Sequence, residues 1–433
     1  MSLPQDSSNS SPANRRDFLK GSTAAVVGGS IISALGSARS VHAAGSDILK
    51  VGLIGCGGRG NGAAVNAMNA EANVRLVALA DAFPDQLTHS KQVLAKQIGE
   101  PKFAVTDENC FHGFDAYKKL LATDVDVVLL CTSPHFRPLH LKAAIEANKH
   151  VFCEKPVAVD SPGVRSVLET AKLAKQKNLT VVSGLCWRYD LGVRETMKQI
   201  FDGAIGDVVA IQENYLTGTL WHRGRKPEWS EMEYQMRNWL YFTWLSGDHI
   251  VEQHIHSLDK SIWLMGDKLP AKCFGLGGRQ VRTDQQYGNA YDHFAVCYEW
   301  ENGVKSYAYT RQMQGCKNDV EDYVIGTKGR AQILKNTVKG EAEWKYKGPK
   351  PSMYDHEHKE LFAGIRSGNI INNGEYMCMS TLMAIMGREA CYTGAEITGE
   401  KALASNTVLG PTRYEWGPVD APSIAVPGQT KYA

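Results

Sequence analysis

The sequence predicts an α/β protein in two parts: an N-terminal doubly wound parallel sheet, then an α+β domain on a mainly antiparallel sheet. Three observations carry that expectation. A glycine-rich turn joins a strand to a helix at residues 55–60, strand-like and helical runs alternate up to about residue 186, and strand-like runs then follow one another without helices between most of them.

The glycine turn comes first. In "ILKVGLIGCGGRGNGAAVNAMNA" an apolar strand, residues 49–54, runs into Gly55-x-Gly57-x-x-Gly60 and a small-residue helix. Gly55 permits the tight turn, Gly57 lets a pyrophosphate approach the backbone, and Gly60 lets the helix pack on the strand. A second strand, "VRLVALAD", ends in Asp81, 21 residues beyond Gly60, where a carboxylate can bind adenosine ribose hydroxyls. Together these predict a Rossmann dinucleotide site over residues 47–186. NAD is expected rather than NADP, because Asp81 would repel a 2′-phosphate and Ala82-Phe83-Pro84 offer no arginine to neutralise it. The cleft is expected to take Gly55, Cys56, Gly57, Gly58, Arg59, Gly60 and Asp81, with Thr132, Ser133, His135 and His140 from the next strand end, and Glu154, Lys155 and Arg188 further on.

Alternation continues with a buried strand at 125–134, a helix at 140–149, a strand at 150–157, a helix capped by Asp160 or Ser161 with Pro162 in its first turn, and the strand "TVVSGL". Beyond Trp187, strands are expected at 208–215, 293–300, 304–310 and 322–327, the middle pair joined by an Asn302-Gly303 hairpin. This second domain is placed at 187–400, with late helices at 356–368 and 375–394, and residues 401–433 are read as an arm or loop. No internal repeat is visible.

Composition limits the partners. With 48 Lys+Arg against 46 Asp+Glu, a net charge of +2 gives no field to draw in nucleic acid or an anionic membrane. The ten cysteines occur singly without CxxC spacing, and most are read as buried thiols. Residues 1–46 are set apart as signal and linker: a polar start, "RRDFLK", an apolar run too short to span a bilayer, and "SVHAAG". Arg15-Arg16 followed by Phe18-Leu19-Lys20 resembles a twin-arginine signal, which implies export, to the periplasm or beyond, of a protein folded around its cofactor. No membrane span is expected in the mature chain.

The stretch "SGDHIVEQHIHSLDKSIWLMG" concentrates ionisable groups. Apolar residues from Ile255 to Met265 recur at helical spacing, and continuing that helix backwards puts His249, Glu252, His256 and Asp259 on one arc, with His254 opposite. An acid/base site without a metal is the expectation. Were the stretch extended, Glu252, His254 and His256 would share a face and could hold a metal.

The glycine turn, Asp81, "EKP" at Glu154-Lys155-Pro156, and His256-x-x-Asp259 resemble, in that order, the Gfo/Idh/MocA oxidoreductases, over residues 48–394. The resemblance implies a lysine, Lys155, beside nicotinamide and substrate, and an acid, His and Asp set at Glu252, His256 and Asp259. Glu252 replaces a more usual Asp and His254 a usual Gly, which leaves the substrate open. In such a site His256 accepts the hydroxyl proton as a secondary alcohol is oxidised, Lys155 faces the developing alkoxide, and Glu252 or Asp259 orients the imidazole. Four tryptophans between Tyr215 and Trp244, interleaved with His222, Arg223, Arg225 and Arg237, suit a sugar, a core or a subunit interface alike. Three readings follow: an NAD-dependent oxidoreductase of a sugar, polyol or glycoside; a redox-neutral glycosidase or lyase working through a keto-sugar; or a non-catalytic dinucleotide- or carbohydrate-binding partner. A homo-oligomer through the C-terminal sheet is expected.

Overall fold

The computed structural model describes residues 47–420 and 423–432; the expected twin-arginine signal lies outside the described residues. Six parallel strands form the first sheet: β1 Leu49–Ile54, β2 Val74–Asp81, β3 Cys110–His112, β4 Val127–Leu130, β5 His150–Cys153 and β6 Val181–Ser183. Their order is β3-β2-β1-β4-β5-β6. Helices α1 Gly58–Ala70, α2 Pro84–Ile98, α3 Ala116–Leu121, α4 Arg137–Glu146 and α5 Ser161–Gln176 make the crossovers. β4 is buried along its whole length, as the continuous apolar run VVLL requires of a strand covered on both faces. The order reverses between β1 and β4, so a crevice opens at the carboxyl ends of these two strands. Asp160 caps α5 by accepting from the Gly163 amide at 2.9 Å.

After α6 (Leu191–Phe201) comes a nine-stranded sheet: β7 Val208–Thr217, β8 Lys272–Gly278, β9 His293–Glu299, β10 Lys305–Gln312, β11 Asp319–Gly326, β12 Arg330–Gln332, β13 Thr337–Lys339, β14 Glu343–Lys345 and β15 Ile397–Thr398, in the order β14-β13-β12-β11-β7-β10-β9-β8-β15. One pair, β7 with β10, is parallel, and the rest are antiparallel. The long connection between β7 and β10 makes that parallel return possible, because it carries α7 Glu231–Arg237, α8 Thr243–Ser246, α9 His249–Glu252 and α10 Ile255–Leu264.

The expected helix through the His-rich stretch is thus two helices, α9 and α10, broken at Gln253 and His254. Just before them Gly247 and Asp248 both adopt positive φ, 77° and 71°. α11 Met353–Ser367 and α12 Gly374–Thr393 return to the body, followed by α13 Gly399–Ala404 and an irregular arm. α11 docks on the first domain, where Asn66 donates to Asp355 at 2.7 Å and Arg366 to the Asn73 carbonyl at 2.9 Å. α12 is apolar nearly all round, and its Met377, Leu382, Met383 and Met386 join one core with residues of β4, α5 and α10. Among the described residues no helix is long and apolar enough to cross a membrane.

Candidate functional site

The glycine turn builds one wall of the crevice. Gly55 sits at φ +98°, and a Cβ there would lie 2.6 Å from the Cys131 backbone. A Cβ on Gly60 would lie 1.9 Å from the Gly55 carbonyl oxygen, so only glycine lets α1 approach this closely. In front of Gly57 and Gly58 the space is open, and α1 begins there with no side-chain cap. Unsatisfied amides at an unobstructed helix start form a cradle for an anionic group, which fits a dinucleotide pyrophosphate.

Beside the cradle lies a cleft lined by Gly55, Gly57, Asp81, Thr132, Ser133 and His140 among others. The Asp81 carboxylate accepts from the Cys56 amide at 2.6 Å and the Phe83 amide at 2.8 Å. Burial pushes its pKa up, against those two amides, which favour the anion. His140 stands 3.2 Å from Thr132 Oγ1, and burial pushes it down to about 3, so its ring is neutral.

Several expected cofactor contacts lie elsewhere. His135 does not line the cleft; its Nε2 is 2.8 Å from the Tyr414 hydroxyl and its ring is edge-on to Trp244. The Cys56 side chain is buried behind the turn. Arg59 pairs with Glu154 and, at 3.1 Å, with Glu357, its guanidinium 4.9 Å from the Tyr354 ring. This pair joins the glycine turn to the "EKP" turn, and it makes Glu154 the partner of an arginine instead of an open cofactor contact. Arg188, 9% exposed at its side chain, donates from Nε to both Asp259 oxygens at 3.0 Å and from Nη2 to Asp267 at 2.7 Å, over the Tyr376 ring. Two carboxylates engage its Nε and Nη2.

Lys155 is different. Its Nζ donates to the Glu252 carboxylate at 2.8 Å and to the Glu252 carbonyl, with both side chains slightly exposed. Arg137, buried beneath, donates to the Pro156 carbonyl and fixes the turn. His256, on the first turn of α10, is partly exposed, and its Nδ1 is buried without a hydrogen-bond partner. Burial first, then the charges of Lys155, Lys260 and Arg59, hold its pKa well below the usual histidine value. The imidazole is therefore neutral, and neither expected carboxylate orients it. Glu252 serves Lys155, and Asp259 accepts from Arg188 and from Ser380 Oγ at 2.7 Å. The neighbours His249 and His254 are buried, the first against Asp248 at 3.1 Å, the second fully enclosed and pushed down to about 3. Among the described residues no group of three His, Cys, Asp or Glu side chains could hold a metal ion.

Sequence reasoning missed Lys260. It is 1% exposed, pairs with Asp322 at 2.7 Å and donates to the His256 carbonyl at 2.7 Å. Its place four residues after His256 was the available signal. The aromatic segment divides between two places: Trp221, Arg223, Arg237 and Trp239 line the cofactor cleft, which the sequence did not point to, while Tyr241, Phe242 and Trp244 are buried in a core of their own, one of the alternatives it left open.

Comparison with known proteins agrees with this layout. Residues 49–185 match the model for "Oxidoreductase family, NAD-binding Rossmann fold", and residues 193–332 match the GFO/IDH/MocA C-terminal domain. The chain is 26% identical over 249 residues to 2,7-anhydro-N-acetylneuraminate hydratase of Escherichia coli, covering 57% of this chain and 61% of that one. It is 26% identical over 283 residues to inositol 2-dehydrogenase of Rhizobium meliloti, covering 65% and 74%. A solved scyllo-inositol dehydrogenase of Lactobacillus casei, with NAD(H) and scyllo-inositol bound, shares the fold at a TM-score of 0.62 and 20% identity, over 82% of this chain and 100% of that one. Glycine cradle, Asp81, the "EKP" turn and both matched domains together place this chain in the Gfo/Idh/MocA oxidoreductase family.

Proposed function

We propose that this protein is an NAD(H)-dependent oxidoreductase acting on a hydroxyl-bearing carbon of a sugar, polyol or glycoside, with Lys155 and His256 as catalytic residues. The observation that carries this is a single juxtaposition: the slightly exposed Lys155–Glu252 pair and a neutral His256 whose pKa feels the Lys155 charge. A bound nicotinamide would supply the two-electron acceptor or donor. The chain itself handles the proton and the charge. Neutral His256 can take the hydroxyl proton, Lys155 favours alkoxide character at the same oxygen, and Glu252 holds the ammonium in place. NAD is preferred over NADP because Asp81 stands at the ribose end, and because the arginine that the fold does bring there, Arg237, is held by Asp85 and Glu233.

Titration of dinucleotide-free protein with both cofactors tests this. NAD should bind more tightly, and Asp81→Ser with Ala82→Arg should shift preference toward NADP; equal affinity in the unmodified chain overturns the assignment. A sugar panel followed by nicotinamide absorbance and product mass tests the chemistry. Net NADH formation supports simple oxidation. Sugar cleavage or hydration without it supports a redox-neutral cycle, a reading favoured by the likeness to a hydratase.

Export by a twin-arginine route belongs to the same proposal, on the strength of Arg15-Arg16, and would require the cofactor to travel with the folded protein. An Arg15→Lys, Arg16→Lys variant exported as before removes it. Self-association through the open face of the second sheet is also proposed. Cross-strand rows Phe274–Cys297–Tyr307 and Leu276–Ala295–Tyr309 leave Leu276 78% and Phe274 56% exposed. A monomer by light scattering, unchanged by Leu276→Lys, overturns that part.

A further inference from the structure

The cofactor cleft is not walled by the first domain alone. Trp221, Arg223, Met236, Arg237 and Trp239 all come from the β7–α8 connection, yet they line the same cleft as Asp81 and Phe83. Arg237 is the centre of this outer wall. It forks onto Asp85, at the start of α2, through two hydrogen bonds of 3.0 and 2.9 Å, and onto Glu233 at 2.8 Å. Its guanidinium lies 4.2 Å from the Phe83 ring and 5.0 Å from the Trp229 ring, so it is stacked as well as paired, with only 11% of its side chain exposed. Two planar groups and two carboxylates thus fix one arginine.

A second strap backs the wall. Trp416 of the C-terminal arm packs on Phe83 at 5.3 Å and Phe114 at 4.6 Å, and the neighbouring Gly417 carbonyl accepts from the Met232 amide of α7 at 3.0 Å. Arm and connection are therefore tied to each other and to the residues around Asp81.

We propose that the Arg237–Asp85 pair is a latch that closes the β7–α8 connection over the adenosine half of the cleft, so that the dinucleotide stays bound between turnovers. This rests on the reading of the cleft as a dinucleotide site. Release of the adenosine end then requires two charge-assisted hydrogen bonds and a stacked guanidinium to separate first, which slows dissociation more than it alters contacts to the ligand. Asp85 is the residue to change, because it does not line the cleft and its side chain is 59% exposed, so its substitution leaves both the ligand contacts and the core in place.

The test uses the full chain loaded with NAD, freed of excess by gel filtration, with dinucleotide release followed in the presence of a fluorescent NAD analogue as competitor. Asp85→Asn should speed release by about twofold to fivefold, the upper value being that of a partly exposed ion pair of bidentate geometry. Trp416→Ala should also speed release, and Arg237→Lys, which keeps the charge but loses the fork, should behave as Asp85→Asn does. Melting curves of the dinucleotide-free variants check that the fold is kept. Unmodified protein that binds NAD, with release changed less than about twofold by Asp85→Asn, overturns the latch alone. Unmodified protein that takes up no NAD overturns the reading on which the latch rests, and the latch with it.

Discussion

Two ion pairs tie residues that follow the neighbouring strands β5 and β6 to the same His-rich stretch, and they differ in almost everything but type. Lys155 with Glu252 is slightly open to solvent, and one carboxylate faces one ammonium. Arg188 with Asp259 is sealed: Asp259 is 1% exposed and receives Arg188 and Ser380, while Arg188 reaches on to Asp267 and lies 3.8 Å from the Tyr376 ring. A carboxylate buried among protein donors, as Asp259 is, is closed to a ligand. The sealed pair orders the junction between domains, and the open one keeps an ammonium next to a neutral imidazole.

The widest separation between the two pairs should come from the imidazole at the open one. His256→Ala should cut turnover by about 10²–10⁴-fold while leaving the melting temperature and dinucleotide affinity nearly unchanged; steady-state kinetics beside calorimetry would show whether rate and stability part company here. At the sealed pair they should move together. Asp259→Ala leaves Arg188 buried with a weaker set of partners, and a loss of about 3–5 kcal/mol in denaturant unfolding is expected. Full stability in that variant would make the two pairs equivalent and remove the distinction.

Acid should act on the buried histidines of the fold. His140, His254 and His358 are each pushed down to about 3 by burial, whereas in the unfolded chain they titrate near ~6.5. Below that value the unfolded state binds protons that the folded state refuses. Stability is thus complete above about pH 6.5 and is lost progressively as pH falls toward 3, by up to about 1.4 kcal/mol per pH unit for each such histidine. Unfolding free energies measured across that range check the slope. The smallest effect belongs to solvent-exposed pairs such as Lys198 with Asp202, where side-chain exposures of 61% and 55% leave little to lose. Lys198→Ala should leave the denaturant midpoint where it is in the unmodified chain.

The glycine turn was legible because its demands are local: a positive φ at Gly55 and contact between two backbones at Gly60 can be met by glycine alone. Alternation of strand and helix was legible for the same reason, and the late helices were placed within a few residues of α11 and α12. What could not be read were consequences of the chain folding back on itself. The parallel β7–β10 pair depends on where a long connection returns, and the fates of Arg188 and Asp259 depend on Asp267 and Ser380 arriving beside them. Helical periodicity put His249, Glu252, His256 and Asp259 on one arc. The break after α9 separates them, and only Glu252 and His256 remain with Lys155. The aromatic segment carried the same ambiguity, since tryptophan and arginine suit a sugar, an interface and a nucleotide wall equally until the fold shows which they face.

That wall also sets an order of events during synthesis. The cradle for the dinucleotide is complete once residues 49–183 have emerged, because its strands and glycines all lie within them. Its outer side waits for residues 221–239, and the strap behind it for residues 414–417, which emerge later still. Domains generally fold from the N-terminus as they appear. A nascent chain therefore passes through a long interval in which the cofactor site is formed but unlidded, open to whichever dinucleotide the surrounding compartment supplies.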